Sequence, residues 1–314
     1  MQNIRIPGRA TYTRVALTDV MVAAPLAARV ILGAFGPGQV VALAALGYYG
    51  ASAAKDWYAR RDVKYVDFQA EFGADVTTLE TMPLHARRHE VARLVTALNA
   101  GFTPDELPRD ELAVRVGKRL TAYLSTITDQ EVMFSAEIRD FTVAKLIFPF
   151  ALGAADPIGG DIAIFQRLGI FEPHVIAHEM CHRVGYLKEL HAQVLAYLAL
   201  RTSGDPILVQ SARAERLHRQ LAVLSRVEGQ ADPMKYRELL DALPLRPELR
   251  DAYHSLRPAT AEGAVSRAMR TVYDKRMQLM GQNGLGDYDE GFTSLLWTLG
   301  RSTTARQPAS HSDI

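Results

Sequence analysis

The sequence predicts a mainly helical protein of the α+β class, with a small sheet and an N-terminal hydrophobic helical region. Apolar residues recur at helical spacing through most of the 314 residues, as in 91–98 and 112–120. Strand-like runs are few, and the best are 142–150 and 162–165. A segment rich in Gly and Pro, 153–160, lies between them, and we expect it to be a turn region.

Composition limits the function. With 48% hydrophobic and 23% charged residues, the chain can bury a sizeable core. Its 36 basic residues are offset by 35 acidic ones without a long basic run, which argues against a nucleic-acid partner. Cys181 is the single cysteine, so no internal disulfide can form.

The N-terminal sixty residues contain a long uncharged stretch. From Val30 to Ala54 there is no charged residue, and this length can cross a bilayer. A second apolar stretch, 20–28, precedes it, and the Gly-Pro-Gly at 36–38 suits the turn of a helical hairpin. We expect residues 1–60 to anchor the protein in a cell membrane. The alternative is a pair of core helices in a cytoplasmic protein, which Asp19 and Arg29 favour.

The strongest functional signal is His178-Glu179-Met180-Cys181-His182. Residues four apart share one face of a helix, so both imidazoles can reach one metal ion. Glu179 would then point toward a water bound to that ion and act as its general base. This pattern is typical of a zinc hydrolase.

The flanking residues support a helix that ends just after the second histidine. Pro173 suits a first turn, and Gly185 permits a sharp turn after His182, so that a third ligand can approach from outside the helix. The residues expected on its buried side are apolar: Val175, Ile176, Met180 and Val184. The third ligand is Glu189 or His191, at the start of a second helix predicted over 187–202 and stopped by Gly-Asp-Pro at 204–206. Further helices are predicted over 207–227, 233–242 and 260–280.

The segment 178–199, HEMCHRVGYLKELHAQVLAYLA, resembles the active-site region of zincin-type metallopeptidases. It is most similar to an uncharacterised bacterial membrane-associated zincin-like family whose segment runs HELAHQxG and then ExEANxLAYLA. That resemblance implies zinc as cofactor and Glu189 as third ligand. His191 and Gln193 depart from the family pattern, which has glutamate and asparagine there.

Weaker resemblance extends to both sides. Residues 146–165 are similar to the strand region before the family's metal helix. Downstream, Gln282-Asn283-Gly284 and Tyr288 are similar to its C-terminal segment. Zincins often use a tyrosine to hydrogen-bond the oxyanion, so the resemblance implies this role for Tyr288; a packing role is the alternative.

Other histidines, and Cys181, have simpler interpretations. His174 is expected to support the ligands or face solvent, and His85 and His89 are expected on a solvated helix face. Cys181 falls off the ligand stripe and is expected to be a small buried apolar residue.

These observations predict a membrane-associated zinc metallopeptidase acting on a peptide or protein substrate. Its parts would be a membrane-anchoring region 1–60, a catalytic domain 61–301 and a disordered tail 302–314. A non-enzymatic membrane protein with a structural or regulatory zinc site is the alternative, and hydrolysis of a non-peptide bond would use the same residues.

Overall fold

A computed structural model gives the fold of most of the chain. The residues that it describes are 2–5, 58–75, 77–134, 138, 151–155, 162–229, 233–256, 264–279 and 281–306, together with 40, 44, 47, 50, 51, 54 and 55. The structure of these residues is mainly helical with short strands, so the prediction of a mainly helical fold with little sheet is confirmed.

Helices make up most of the described structure. In chain order they are α1 Phe68–Phe72, α2 Leu84–Ala100, α3 Arg109–Thr128, α4 Glu172–Val184, α5 Glu189–Arg201, α6 Pro206–Gly229, α7 Pro233–Asp241, α8 Pro247–Leu256, α9 Ala264–Leu279 and α10 Glu290–Arg306. Short 3₁₀ helices at Gly169–Phe171 and Gly284–Tyr288 precede α4 and α10. The helices predicted from 187 to 280 are confirmed, with ends that differ by at most four residues.

The strands form two pairs among the described residues. β1 (Gln2–Arg5) pairs in parallel with β2 (Gln130–Met133). β3 (Gly153–Ala155) pairs antiparallel with β4 (Ile162–Ile164), with Gly153 opposite Ile164. The turn prediction was therefore wrong at its start, because 153–155 is a strand. β4 is fully buried, so its backbone groups need a hydrogen-bonding neighbour, and β3 provides one.

Contacts divide the chain into two compact units. The first comprises 1–64, 107–167 and 175–186. Within it, the apolar face of α3 is buried through Leu112, Val116 and Leu120. Gly117 of α3 faces Met180 of α4: a Cβ on this glycine would lie 3.8 Å from Cε of Met180, in ordinary van der Waals contact. The middle of α4 therefore packs close to α3.

The second unit comprises 65–106, 168–174 and 187–314. Its centre is α6, which packs against α2, α5, α7 and α10. The buried side of α6 includes Leu217 and Leu221, and α5 is buried along nearly its whole length. A fully buried leucine contributes roughly 1.5–3 kcal/mol, so this contact surface fixes α5 firmly.

The described residues can be compared with the domain boundaries predicted at the two ends of the chain. α10 continues to Arg306, five residues into the tail predicted at 302–314, and earlier in the helix Leu295, Leu296 and Leu299 are buried. Residues 307–314 lie outside the described residues, as do the strand predicted at 142–150 and most of Val30–Ala54. In the part of the chain that is described, no helix has both the length and the hydropathy needed to cross a membrane.

Candidate metal centre

The helix that carries the two histidines forms as its sequence predicts. Glu172 adds an acidic residue to the first turn of α4, and its Oε2 accepts the backbone N–H of Leu168 at 3.1 Å. The four apolar residues expected on the inner face are all buried: Val175, Ile176, Met180 and Val184. These apolar residues pack one face of α4 into the core, and His178 and His182 lie on a different face.

The helix ends in a Schellman motif at Gly185. Gly185 has φ +116°, and its N–H donates to the His182 carbonyl at 2.9 Å. The Tyr186 N–H donates to the Cys181 carbonyl at 3.1 Å. The prediction of a sharp turn at Gly185 is confirmed. This turn brings the chain to the start of α5 within a few residues of His182.

The imidazole rings of His178 and His182 direct their Nε2 atoms toward each other. Nε2 of His178 and Nε2 of His182 lie 3.0 Å apart. Nδ1 of His182 lies 2.7 Å from the carbonyl oxygen of Tyr186, which can only accept, so Nδ1 carries the proton and Nε2 keeps its lone pair. A backbone carbonyl that fixes the tautomer in this way is a common support for a metal-binding histidine.

Glu189 joins the histidines. It is the first residue of α5, and only 5% of it is exposed. One ligand atom each from His178, His182 and Glu189 lies within 4.8 Å of the others. Two imidazole nitrogens and one carboxylate oxygen are the protein ligands of a catalytic zinc site, so the residues fit the metal.

Glu179 lies beside this cluster and is 6% exposed. Its Oε1 is directly against the backbone of Gly153, where a Cβ would lie 3.0 Å from that oxygen. The same Cβ would lie 2.9 Å from the Ala163 carbonyl oxygen. The start of β3 therefore packs against the carboxylate of Glu179, and a side chain larger than that of glycine at position 153 would be too close to it.

His191, the other candidate for third ligand, has a different partner. Its Nε2 lies 2.7 Å from Oδ1 of Asp75. Its ring stacks on Phe68, with centroids 3.7 Å apart and planes at 9°. Burial lowers the pKa of His191, although the Asp75 carboxylate opposes that effect. The structure thus groups Glu189, rather than His191, with the histidine pair.

The remaining predictions near the motif have clear outcomes. His174 is 1% exposed, and its backbone N–H donates to Ser211, so the solvent-facing alternative is wrong; its ring meets Phe292 edge-on, with centroids 6.4 Å apart. Cys181 is fully buried, and burial together with the nearby Glu179 raises the pKa of its thiol, so it is a neutral apolar residue as predicted. His85 and His89 are exposed on α2, also as predicted.

Tyr288 ends the 3₁₀ helix at Gly284–Tyr288 and is half-buried. The guanidinium carbon of Arg219 lies 5.7 Å from the centroid of its ring. The role of the Tyr288 hydroxyl stays a prediction.

Two residues next to the site were not predicted to act there. The sequence predicts a turn at Gly153, whereas in the structure Gly153 lies against the carboxylate of Glu179. The sequence draws attention to Gln282 only through a resemblance, whereas in the structure its Oε1 accepts the backbone N–H of Glu189 at 2.9 Å. The sequence offers two signals for these residues. Gly153 precedes the apolar run that forms β4, and Gln282 comes directly before Asn283-Gly284.

A family model described as a protein of unknown function (DUF3810) matches residues 164–296. The match begins at the end of β4 and contains both histidines, Glu179, Glu189 and Tyr288. No curated protein and no solved structure matches the chain.

Proposed function

We propose that the protein is a zinc-dependent hydrolase, namely a membrane-associated metallopeptidase that cleaves peptide bonds. The observation that carries the proposal is the convergence of ligand atoms from His178, His182 and Glu189 within 4.8 Å, next to the buried carboxylate of Glu179. The sequence resemblance to zincins supports the choice of peptide bonds. The uncharged stretch in residues 1–60 supports the membrane association.

Each residue has a defined task in this proposal. Nε2 of His178, Nε2 of His182 and the carboxylate of Glu189 would hold zinc. When bound, zinc supplies Lewis-acid chemistry and lowers the pKa of a water to about 7. Glu179 accepts the proton of the attacking water and passes it to the leaving amine. Tyr288 is proposed, from the resemblance, to donate a hydrogen bond to the oxyanion.

The ligand count favours an enzyme over a structural zinc site. Structural zinc is usually enclosed by four protein ligands, whereas a catalytic site has three and an open position. Within the described ranges, the group of His, Cys, Asp and Glu residues at this place has three members. A purely structural site also has no use for Glu179 as a base.

Metal analysis tests the ligand set directly. We expect the purified protein to contain about one zinc ion per chain. Glu189→Ala should lose most of this zinc because it removes one of three ligands. His191→Ala should keep it, because His191 bonds Asp75. Mass spectrometry of the metal content, at equal protein concentration, checks both variants. Loss of zinc only in His191→Ala would overturn the assignment.

Gly153→Ala should reduce turnover without loss of zinc. The added Cβ would lie 3.0 Å from Oε1 of Glu179 and 2.9 Å from a backbone carbonyl, so β3 or the carboxylate must move. A displacement of about 1 Å at a catalytic group can cost roughly 100-fold in rate. We expect a fall of about 10- to 100-fold in kcat, measured on a cleaved peptide together with zinc content.

Gly300→Ala is the matched control for this substitution. Gly300 lies in α10 with nothing within 4 Å of the added Cβ, and alanine favours a helix. Its kcat should equal that of the wild type. Full turnover by Gly153→Ala would show that β3 does not confine Glu179.

A further inference from the structure

The carboxylate ligand lies at a weak point of its helix. Glu189 is the first residue of α5, and the backbone N–H groups of a first turn have no partner within the helix. Lys188, at the N-cap, makes no side-chain capping bond. The position of a ligand here depends on what holds the helix start from outside.

Gln282 provides that support. Its side-chain Oε1 accepts the Glu189 N–H at 2.9 Å, across 93 residues of sequence. Gln282 is 7% exposed and Glu189 is 5% exposed, so water has little access to the hydrogen bond. This hydrogen bond, which is protected from water, therefore holds the backbone of Glu189 itself.

The end of α9 fixes the backbone of Gln282. Gly281, with φ +74°, donates its N–H to the Gln278 carbonyl at 3.0 Å. The Gln282 N–H donates to the Met277 carbonyl at 3.1 Å. These two bonds form a Schellman motif, which sets where the glutamine side chain begins.

The chain after Gln282 is fixed as well. Asp287, fully buried, accepts the backbone N–H and the side-chain amide of Asn283, both at 2.9 Å. Asp274 accepts the Leu285 N–H at 2.7 Å. Its carboxylate also fills the space where a Cβ on Gly284 would lie. The segment 281–288 is therefore held on both sides of Gln282 by hydrogen bonds of its own.

We infer that Gln282 is a positioning residue of the metal centre: its side-chain oxygen fixes the backbone of Glu189 so that the carboxylate faces the two histidines. The inference rests on the proposed zinc site. Supports of this kind around a metal ligand typically account for 10- to 100-fold in affinity. In this role Gln282 acts only through Glu189 and does not touch the metal or the substrate.

The test removes the side-chain oxygen of Gln282, which is the hydrogen-bond acceptor, and leaves an apolar side chain in its place. In Gln282→Leu, we expect the dissociation constant for zinc, measured by competition with a chromophoric chelator, to rise about 10- to 100-fold. With Co²⁺ in place of zinc, the visible absorption of the variant should weaken and shift, because the carboxylate ligand is misplaced. A merely destabilised protein that still holds its ligands would keep the cobalt spectrum.

Gln210→Leu is the matched control, since Gln210 on α6 is also buried and its side-chain Oε1 accepts a backbone N–H, that of Thr103, at 2.8 Å. It should bind zinc as the wild type does. Wild-type affinity and cobalt spectrum in Gln282→Leu would overturn the positioning role alone. A wild-type protein that binds no zinc would overturn the proposed function, and this inference with it.

Discussion

Glu179→Gln is expected to abolish peptide hydrolysis and to leave zinc in place. The amide has the size of the carboxylate but cannot take a proton from water, and loss of a general base typically costs 10²–10⁴-fold in rate. The side chain is buried against Gly153, so an isosteric change disturbs the packing little. Cleavage of a peptide library, followed by mass spectrometry, identifies a substrate for the wild type. Rates on that peptide then give the loss of kcat.

Two measurements keep this result unambiguous. The zinc content of Glu179→Gln must equal that of the wild type, because only then is the lost step chemical. Glu172→Gln is the control on the same helix: Glu172 accepts the Leu168 N–H, which the amide oxygen can also accept. It should keep full activity. Turnover by Glu179→Gln within a few-fold of the wild type would end the proposed mechanism.

The parts of the site that the sequence predicted are local in the chain. His178 and His182 share a helix face by their spacing alone, and the helix ends at Gly185 through hydrogen bonds that span three and five residues. The apolar face of α4 follows from the same period. Backbone geometry over a few residues decides all of these features, so a single sequence suffices.

The choice of Glu189 over His191 is not local. Both lie in the first turn of α5, and nothing between them in sequence separates a ligand from a bystander. The structure separates them through Asp75 and Phe68, which engage His191 from more than a hundred residues away. Gln282 engages Glu189 over a similar distance. Such pairings depend on the tertiary fold, which periodicity does not encode. Gly153 escaped prediction for the same reason.

A buried charge network holds the helices of the second unit together around α5. Arg219 on α6 lies 2.6 Å from Glu215 and 3.0 Å from Asp289, and both carboxylates are nearly inaccessible. Nε2 of Gln193, on α5, donates to Glu215 at 3.1 Å. Burial by itself would raise the pKa of Glu215, but the charge of Arg219, the charge of His174 and the hydrogen bond from Arg219 together outweigh burial and lower that pKa.

Arg219→Met should therefore cost about 3–5 kcal/mol in the free energy of unfolding at pH 8. Removal of Arg219 leaves the buried carboxylate of Glu215 without its cation, which is the expensive way to break such a pair, whereas Asp289 keeps Arg226 at 2.7 Å. Denaturant unfolding, with chelator present so that metal binding does not contribute, measures the loss. Arg115→Met is the control, because Arg115 and its partner Glu111 are both about half exposed and their pair should matter little.

The pH dependence separates a lost charge from a lost packing contact. In the wild type the folded pKa of Glu215 lies below its unfolded value, so its contribution is present at neutral pH and is lost as the pH falls through the folded pKa. In Arg219→Met we expect burial to outweigh the remaining charge of His174 and to raise the pKa of Glu215 above its unfolded value, so that acidification reduces the loss of stability. The stability deficit should accordingly shrink from pH 8 to pH 5. A deficit that stays constant over this range would mean that Arg219 acts through packing rather than through its charge.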